Sequence, residues 1–102
     1  MKIDHYKKGD SLYVKLSGEL DEHHSAYVRA SLDDLIDSGI IKRLYIDMSD
    51  LQFMDSTGIG VLIGRYKKLK PRGVPIFIQS PQPSVDRVLE LSGIYDIMVK
   101  AG

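Results

Sequence analysis

The sequence predicts an α/β domain: a mixed, mostly parallel sheet of about four to five strands flanked by helices. Three observations carry that expectation. Short segments with strand patterning recur along the chain, helical periodicity separates them, and the order is a hairpin followed by three helix-then-strand repeats. Alternation of that kind favours parallel pairing through helical crossovers, while the leading hairpin makes the sheet mixed. At 102 residues there is room for one core, so residues 1–102 are read as one domain.

Ile3 to Tyr6 reads as a short strand, closed by a turn at Gly9-Asp10. Leu12, Val14 and Leu16 then alternate with Tyr13, Lys15 and Ser17, the mark of a half-buried strand. Gly18-Glu19-Leu20-Asp21 ends it, and Asp21 is placed to cap a helix over Glu22 to Ser38. Within that helix Val28, Leu32, Leu35 and Ile36 share one face, and Gly39 terminates it. Leu44, Ile46 and Met48 predict a strand ending at Ser49-Asp50. A second helix follows Asp55-Ser56, with Ile59, Leu62, Ile63, Tyr66 and Leu69 inward and Pro71-Arg72-Gly73 as its stop. Val74 to Gln79 reads as a strand. Pro81 and Pro83 suit the start of a third helix that buries Val85, Val88 and Leu89 and ends at Gly93. Ile97, Met98 and Val99 predict a last short strand.

Fourteen basic residues balance fourteen acidic ones, so nothing drives binding to a phosphate backbone, and nucleic acid is not an expected partner. The chain has no cysteine, which removes disulfides and thiol chemistry and fits a reducing cytoplasm. The polar N-terminus MKIDHYKKGD lacks the apolar core of a signal peptide, and no apolar run is long enough to span a bilayer. The expectation is a soluble cytoplasmic protein without a membrane partner.

The stretch richest in chemistry is Phe53-Met54-Asp55-Ser56-Thr57-Gly58-Ile59-Gly60, between a strand end and a helix start. Ser56 falls at the N-cap or first position of that helix, where free N–H groups and the positive end of the helix dipole converge. A phosphate there adds roughly −1.5 to −2 charges at a place the helix tolerates. On capping statistics alone, a plain cap is the favoured reading of Ser56. Thr57, Val61, Gly64 and Lys68, flanked by Arg65, fall on the side opposite the apolar face, a small-residue surface that another backbone can approach. The competing reading is that Gly58, Gly60 and Gly64 pack the helix onto the sheet. An interior glycine costs about 1 kcal/mol against alanine, so three in seven residues need a reason.

These residues resemble a known family. Leu51 to Tyr66, LQFMDSTGIGVLIGRY, is similar to the signature of the anti-sigma factor antagonists, which are STAS domains, and most of all to the sporulation type. Gly18-Glu19-Leu20-Asp21 and Leu91-Ser92-Gly93-Ile94 match two further family segments in the same order. The resemblance implies a binding module without catalytic activity, cofactor or metal. It implies phosphorylation of Ser56 by a partner that is both anti-sigma factor and ATP-binding serine kinase, with reversal by a serine phosphatase. Unphosphorylated, such a protein binds the anti-sigma factor and frees the sigma factor; phosphorylated, it does not bind. The resemblance places Asp21 and Arg65 near the partner surface beside Ser56; together with the outer helix face, the expected partner-binding residues are Asp21, Asp55, Ser56, Thr57, Gly58, Val61, Gly64 and Arg65. Glu22 stands before His23-His24 where relatives have two histidines directly after the aspartate. The chain also ends at Gly102, where relatives often continue into another helix. The expected state is a monomer, with a dimer formed by hairpin exchange as the variant.

The runner-up readings are a small nucleotide-binding or hydrolytic α/β enzyme, and a STAS domain of a stress-response pathway. Gly58-x-Gly60-x-x-x-Gly64 is one residue too long for a dinucleotide fingerprint. Arg65, Lys67 and Lys68 rule out a membrane GxxxG helix. No G-x-S-x-G elbow surrounds Ser56, and the histidines are His5, His23 and His24. Adjacent His23 and His24 diverge by about 100° on a helix and do not chelate one metal; they read as exposed or rim residues. Asp33-Asp34 and Lys67-Lys68 read as solvated helix faces.

Overall fold

Alternation in β2 (Ser11–Leu20) sends Leu12, Val14 and Leu16 to one side of the strand, where all three are buried. The same side of β3 (Arg43–Met54) buries Leu44, Ile46 and Met48, and that of β4 (Ile76–Gln79) buries Ile76 and Ile78. A computed structural model describes all residues, 1–102. It joins these strands with β1 (Lys2–Lys8) and β5 (Val99–Lys100) into a five-stranded sheet of order β1-β2-β3-β4-β5. β1 pairs antiparallel with β2 through the Gly9 turn, and every later pair is parallel. The sheet therefore has the mixed, mostly parallel form expected.

Because the parallel strands follow one another without reversal, right-handed crossovers put every helix on the same face. α1 (Ser25–Asp37), α2 (Ser56–Leu69) and α3 (Pro83–Ser92) bring Val28, Leu32, Ile36, Ile59, Leu62, Leu69, Val85 and Leu89 onto the buried side of the strands. The opposite face is left without a helix. α2 lies between its neighbours, packing on α1 and α3 as well as on the sheet.

Pro83 is the first residue of α3, as its fixed φ favours. Gly93 ends the helix at φ 79°, a left-handed conformation that glycine adopts without cost. Asp86 on α3 then latches the chain end. It accepts from Tyr95 Oη at 2.5 Å and Lys100 Nζ at 2.8 Å. Those donors, Lys100 first, hold its carboxyl below the usual carboxylate range. Burial, aided by Asp86, pushes the Tyr95 phenol well up.

Several expected boundaries move. α1 begins at Ser25 with His24 as its N-cap, not at Glu22 with Asp21 as cap. Residues 22–24 form a turn instead, held by the His24 N–H on Asp21. β3 runs past Ser49-Asp50 to Met54, because a register shift opposite Lys15 to Ser17 lets pairing with β2 continue. β4 starts at Ile76 rather than Val74, and β5 is Val99–Lys100 after a 3-10 turn at Ile94–Asp96. Asp33 and Lys68 are not merely solvated: both join an ion-pair cluster between α1 and α2.

Candidate functional site

Asp55 decides the local geometry at the start of α2. Its backbone is extended, and its carboxylate Oδ1 accepts from Thr57 N at 3.0 Å and Gly58 N at 3.2 Å. The N-cap is therefore Asp55, and Ser56 is the first helical residue, one of the two positions expected, with an exposed side chain. Since Asp55 already takes two of the free N–H groups, the helix terminus offers little to neutralise a phosphate on Ser56. That is a correction: a phosphate there stands beside a carboxylate and stays a local concentration of negative charge.

The C-terminal end of β2 packs directly beside this turn. Asp55 N donates to Leu20 O at 3.4 Å, which brings Asp21 to the same end of the molecule as Asp55 and Ser56. Asp21 Oδ1 accepts from His24 N at 3.0 Å and lies 2.8 Å from His24 Nδ1. Partial burial pushes the Asp21 carboxyl up, but the His24 bonds outweigh it and hold it below the usual range. Asp21 is thus an ionised, fixed carboxylate.

Gly58 is the glycine this packing requires. A Cβ on it would lie 2.8 Å from Met54 Cγ, 2.9 Å from Leu20 Cγ and 2.9 Å from Leu20 O, the last of which is backbone and cannot yield cheaply. Gly60 and Gly64 face open space, so the expectation that Gly60 packs the helix onto the sheet fails, and Gly58 has that role. Gly58→Ala is expected to destabilise the fold by about 1–3 kcal/mol through overpacking. Gly60→Ala should stabilise it by up to about 1 kcal/mol through helix propensity. Urea denaturation of the two variants checks the contrast.

The exposed stripe of α2 is rotated by one residue from the one expected. Ser56, Gly60 and Lys67 are exposed, with Ile63 and Gly64 half-buried between them. Val61 is 2% exposed, and Arg65, expected near the partner surface, is buried against α1 with Nε 2.9 Å from Asp33 Oδ1. The structure thus brings Asp21, Asp55, Ser56 and Thr57 together at one end, continues the surface along Gly60 and Gly64, and withdraws Gly58, Val61 and Arg65 from it. Phe53, 48% exposed and three residues before Ser56, is a large apolar side chain at the same end that the sequence reading did not single out as a contact. Its signal was an aromatic out of phase with the buried Leu51 and Met54.

The STAS-domain family model matches residues 2–101. The chain belongs to the STAS-domain family. An anti-sigma F factor antagonist of Paenibacillus polymyxa is 38% identical over 98 residues, 96% of this chain and 82% of that protein. The anti-sigma-B factor antagonist of Bacillus subtilis is 28% identical, over 96% of this chain and 88% of that protein. Among solved structures, the anti-sigma factor antagonist SpoIIAA in its unphosphorylated form has a TM-score of 0.83 at 27% identity, covering 99% of this chain and 89% of that one. The STAS assignment and its regulatory, antagonist-type relatives agree with the resemblance seen in Leu51 to Tyr66. No helix is long and apolar enough to cross a membrane.

Proposed function

We propose that this chain is an anti-sigma factor antagonist that binds an anti-sigma factor kinase through the α2 N-terminus and is released by phosphorylation of Ser56. The observation that carries this reading is the exposed Ser56 hydroxyl at the first position of α2, flanked by Asp55 and next to Asp21. A kinase can reach that hydroxyl without unfolding anything. The Gly60 and Gly64 stripe lets a partner backbone come close along α2, with Asp21 as a fixed anionic contact and Phe53 as an apolar one. A phosphate at Ser56 adds roughly −1.5 to −2 charges beside Asp55, and burying it unpaired in that contact is costly enough to exclude the partner. The relatives named as antagonists support the class, and SpoIIAA, described in an unphosphorylated form, supports a modification switch.

On this reading the protein acts in the cytoplasm as a binding module rather than an enzyme, and a serine phosphatase resets it. The sigma factor it frees is the one held by the kinase that modifies it. Incubating the chain with the source organism's anti-sigma factor kinases and ATP, then mapping phosphate by mass spectrometry, should place it on Ser56 alone. Phosphate on Thr57 or Ser49 with Ser56 clean would reject the assignment.

A further inference from the structure

Parallel sheets normally have both faces covered, yet here all three crossover helices lie on one side. The other face carries a continuous row of apolar side chains in cross-strand register: Tyr6, Tyr13, Tyr45, Phe77 and Val99. The four rings stack face to face, with centroids 4.7, 4.6 and 4.6 Å apart. At its ends the row is open, Tyr6 being 58% and Val99 47% exposed.

Charge is sorted on either side of that row. Two residues along each strand in one direction stand Lys8, Ser11 and Arg43, and in the other Asp4, Lys15 and Asp47. Lys15 is engaged by Asp50 at 3.0 Å. On β1 and β3, then, the cationic and anionic positions flank the same aromatic row. From this arrangement we infer that the helix-free face binds a second copy of this chain, sheet against sheet, about a twofold axis that runs along the aromatic row.

That axis lays one aromatic row on the other and inverts the charged rows. Lys8 then faces Asp4 of the second copy, Arg43 faces Asp47, and Ser11 faces Lys15; each contact occurs twice, as an isologous interface requires. A twofold along the strands would instead oppose Arg43 to Arg43 and Asp47 to Asp47. Charge therefore selects one of the two aligned sheet packings. Five strands about 4.8 Å apart and three side-chain rows about 7 Å apart give a face of about 24 by 20 Å. That places the dimer at the small end of specific interfaces, so it dissociates on dilution. The strands of the two copies run in opposite directions, which puts their Ser56 ends at opposite ends of the dimer with the helices outward. The dimer is thus bivalent for whatever docks at α2.

Sedimentation equilibrium of the whole chain tests this, with thermal melting to verify folding. Wild type should self-associate reversibly. Arg43→Glu and Asp47→Lys, each alone, should weaken association about tenfold or more by setting like charges across the interface twice. An equimolar mixture of the two variants should recover wild-type association, because both cross-sheet pairs of the mixed dimer are again opposite in charge. If either variant misfolds, Lys8→Glu mixed with Asp4→Lys at the exposed edge makes the same test. A wild type that stays monomeric overturns the inference. So does a mixture that associates no better than its components. A dimer that survives dilution and ignores the charge reversals also overturns it, and points to exchange of the N-terminal hairpin.

Discussion

Ser56→Asp is expected to weaken binding to the anti-sigma factor kinase by at least about a hundredfold, close to 3 kcal/mol, while Ser56→Ala binds as unmodified wild type does. The size follows from the site. Ser56 stands beside the Asp55 carboxylate, whose Oδ1 already holds the Thr57 and Gly58 N–H groups, so a second carboxylate has few helix donors left to pair with. Desolvating an unpaired charge in a protein contact costs several kcal/mol. The fold itself should respond little. The helix dipole favours an acidic residue in the first turn by a few tenths of a kcal/mol, and repulsion from the adjacent Asp55 cap offsets it. Calorimetric titration against the kinase, with a melting curve for each variant, separates the two effects. Lost affinity with an undiminished melting temperature is the signature of exclusion at the surface. If Ser56→Asp bound within threefold of wild type, phosphate exclusion at this residue would be the wrong mechanism.

The fold was largely legible because its information is local. Leu12, Val14 and Leu16, or Leu44, Ile46 and Met48, declare a period of two whatever surrounds them. The same holds for Ser56: a serine between an aspartate and a glycine-rich helix start can be placed from sequence alone, although Asp55 took the capping role. Long-range effects were not legible. Asp21 looked like a helix cap, and only the turn held by His24 shows that it caps a turn before the helix. β3 runs on through Ser49-Asp50 because β2 shifts register opposite it, which no pattern within β3 records. The outward side of α2 was misplaced for a related reason. An apolar stripe tells which side of a helix meets the sheet, but not that a neighbouring helix on one flank will cover Val61 and Arg65 as well.

Arg65 makes that last point testable, because burial turns a residue expected at the partner surface into a structural one. Its side chain is only 9% exposed, its Nε lies 2.9 Å from Asp33 Oδ1, and its buried Nη1 has no hydrogen-bond partner. The Nε contact is an ion pair without hydrogen-bond alignment. Asp33, 32% exposed, is also within 3.5 Å of Lys68 Nζ, and Lys68 in turn is bound to Asp37 at 2.6 Å. The two halves of the pair are therefore unequal. Asp33→Ala strips the one anion from a guanidinium that water scarcely reaches, and should cost about 3 kcal/mol, the low end for breaking a buried pair because the carboxylate side is partly open. For a domain of this size that is a fall in melting temperature of about 12–24 °C. Arg65→Met keeps the length and apolar contacts of the side chain and leaves Asp33 to Lys68 and water, so its cost should stay near about 1 kcal/mol. The double variant should then be more stable than Asp33→Ala alone, since the charge left stranded is gone. A double-mutant cycle by chemical denaturation measures all three. Equal losses for the two single variants would mean that Arg65 is solvated after all, and would return it to the list of residues a partner can touch.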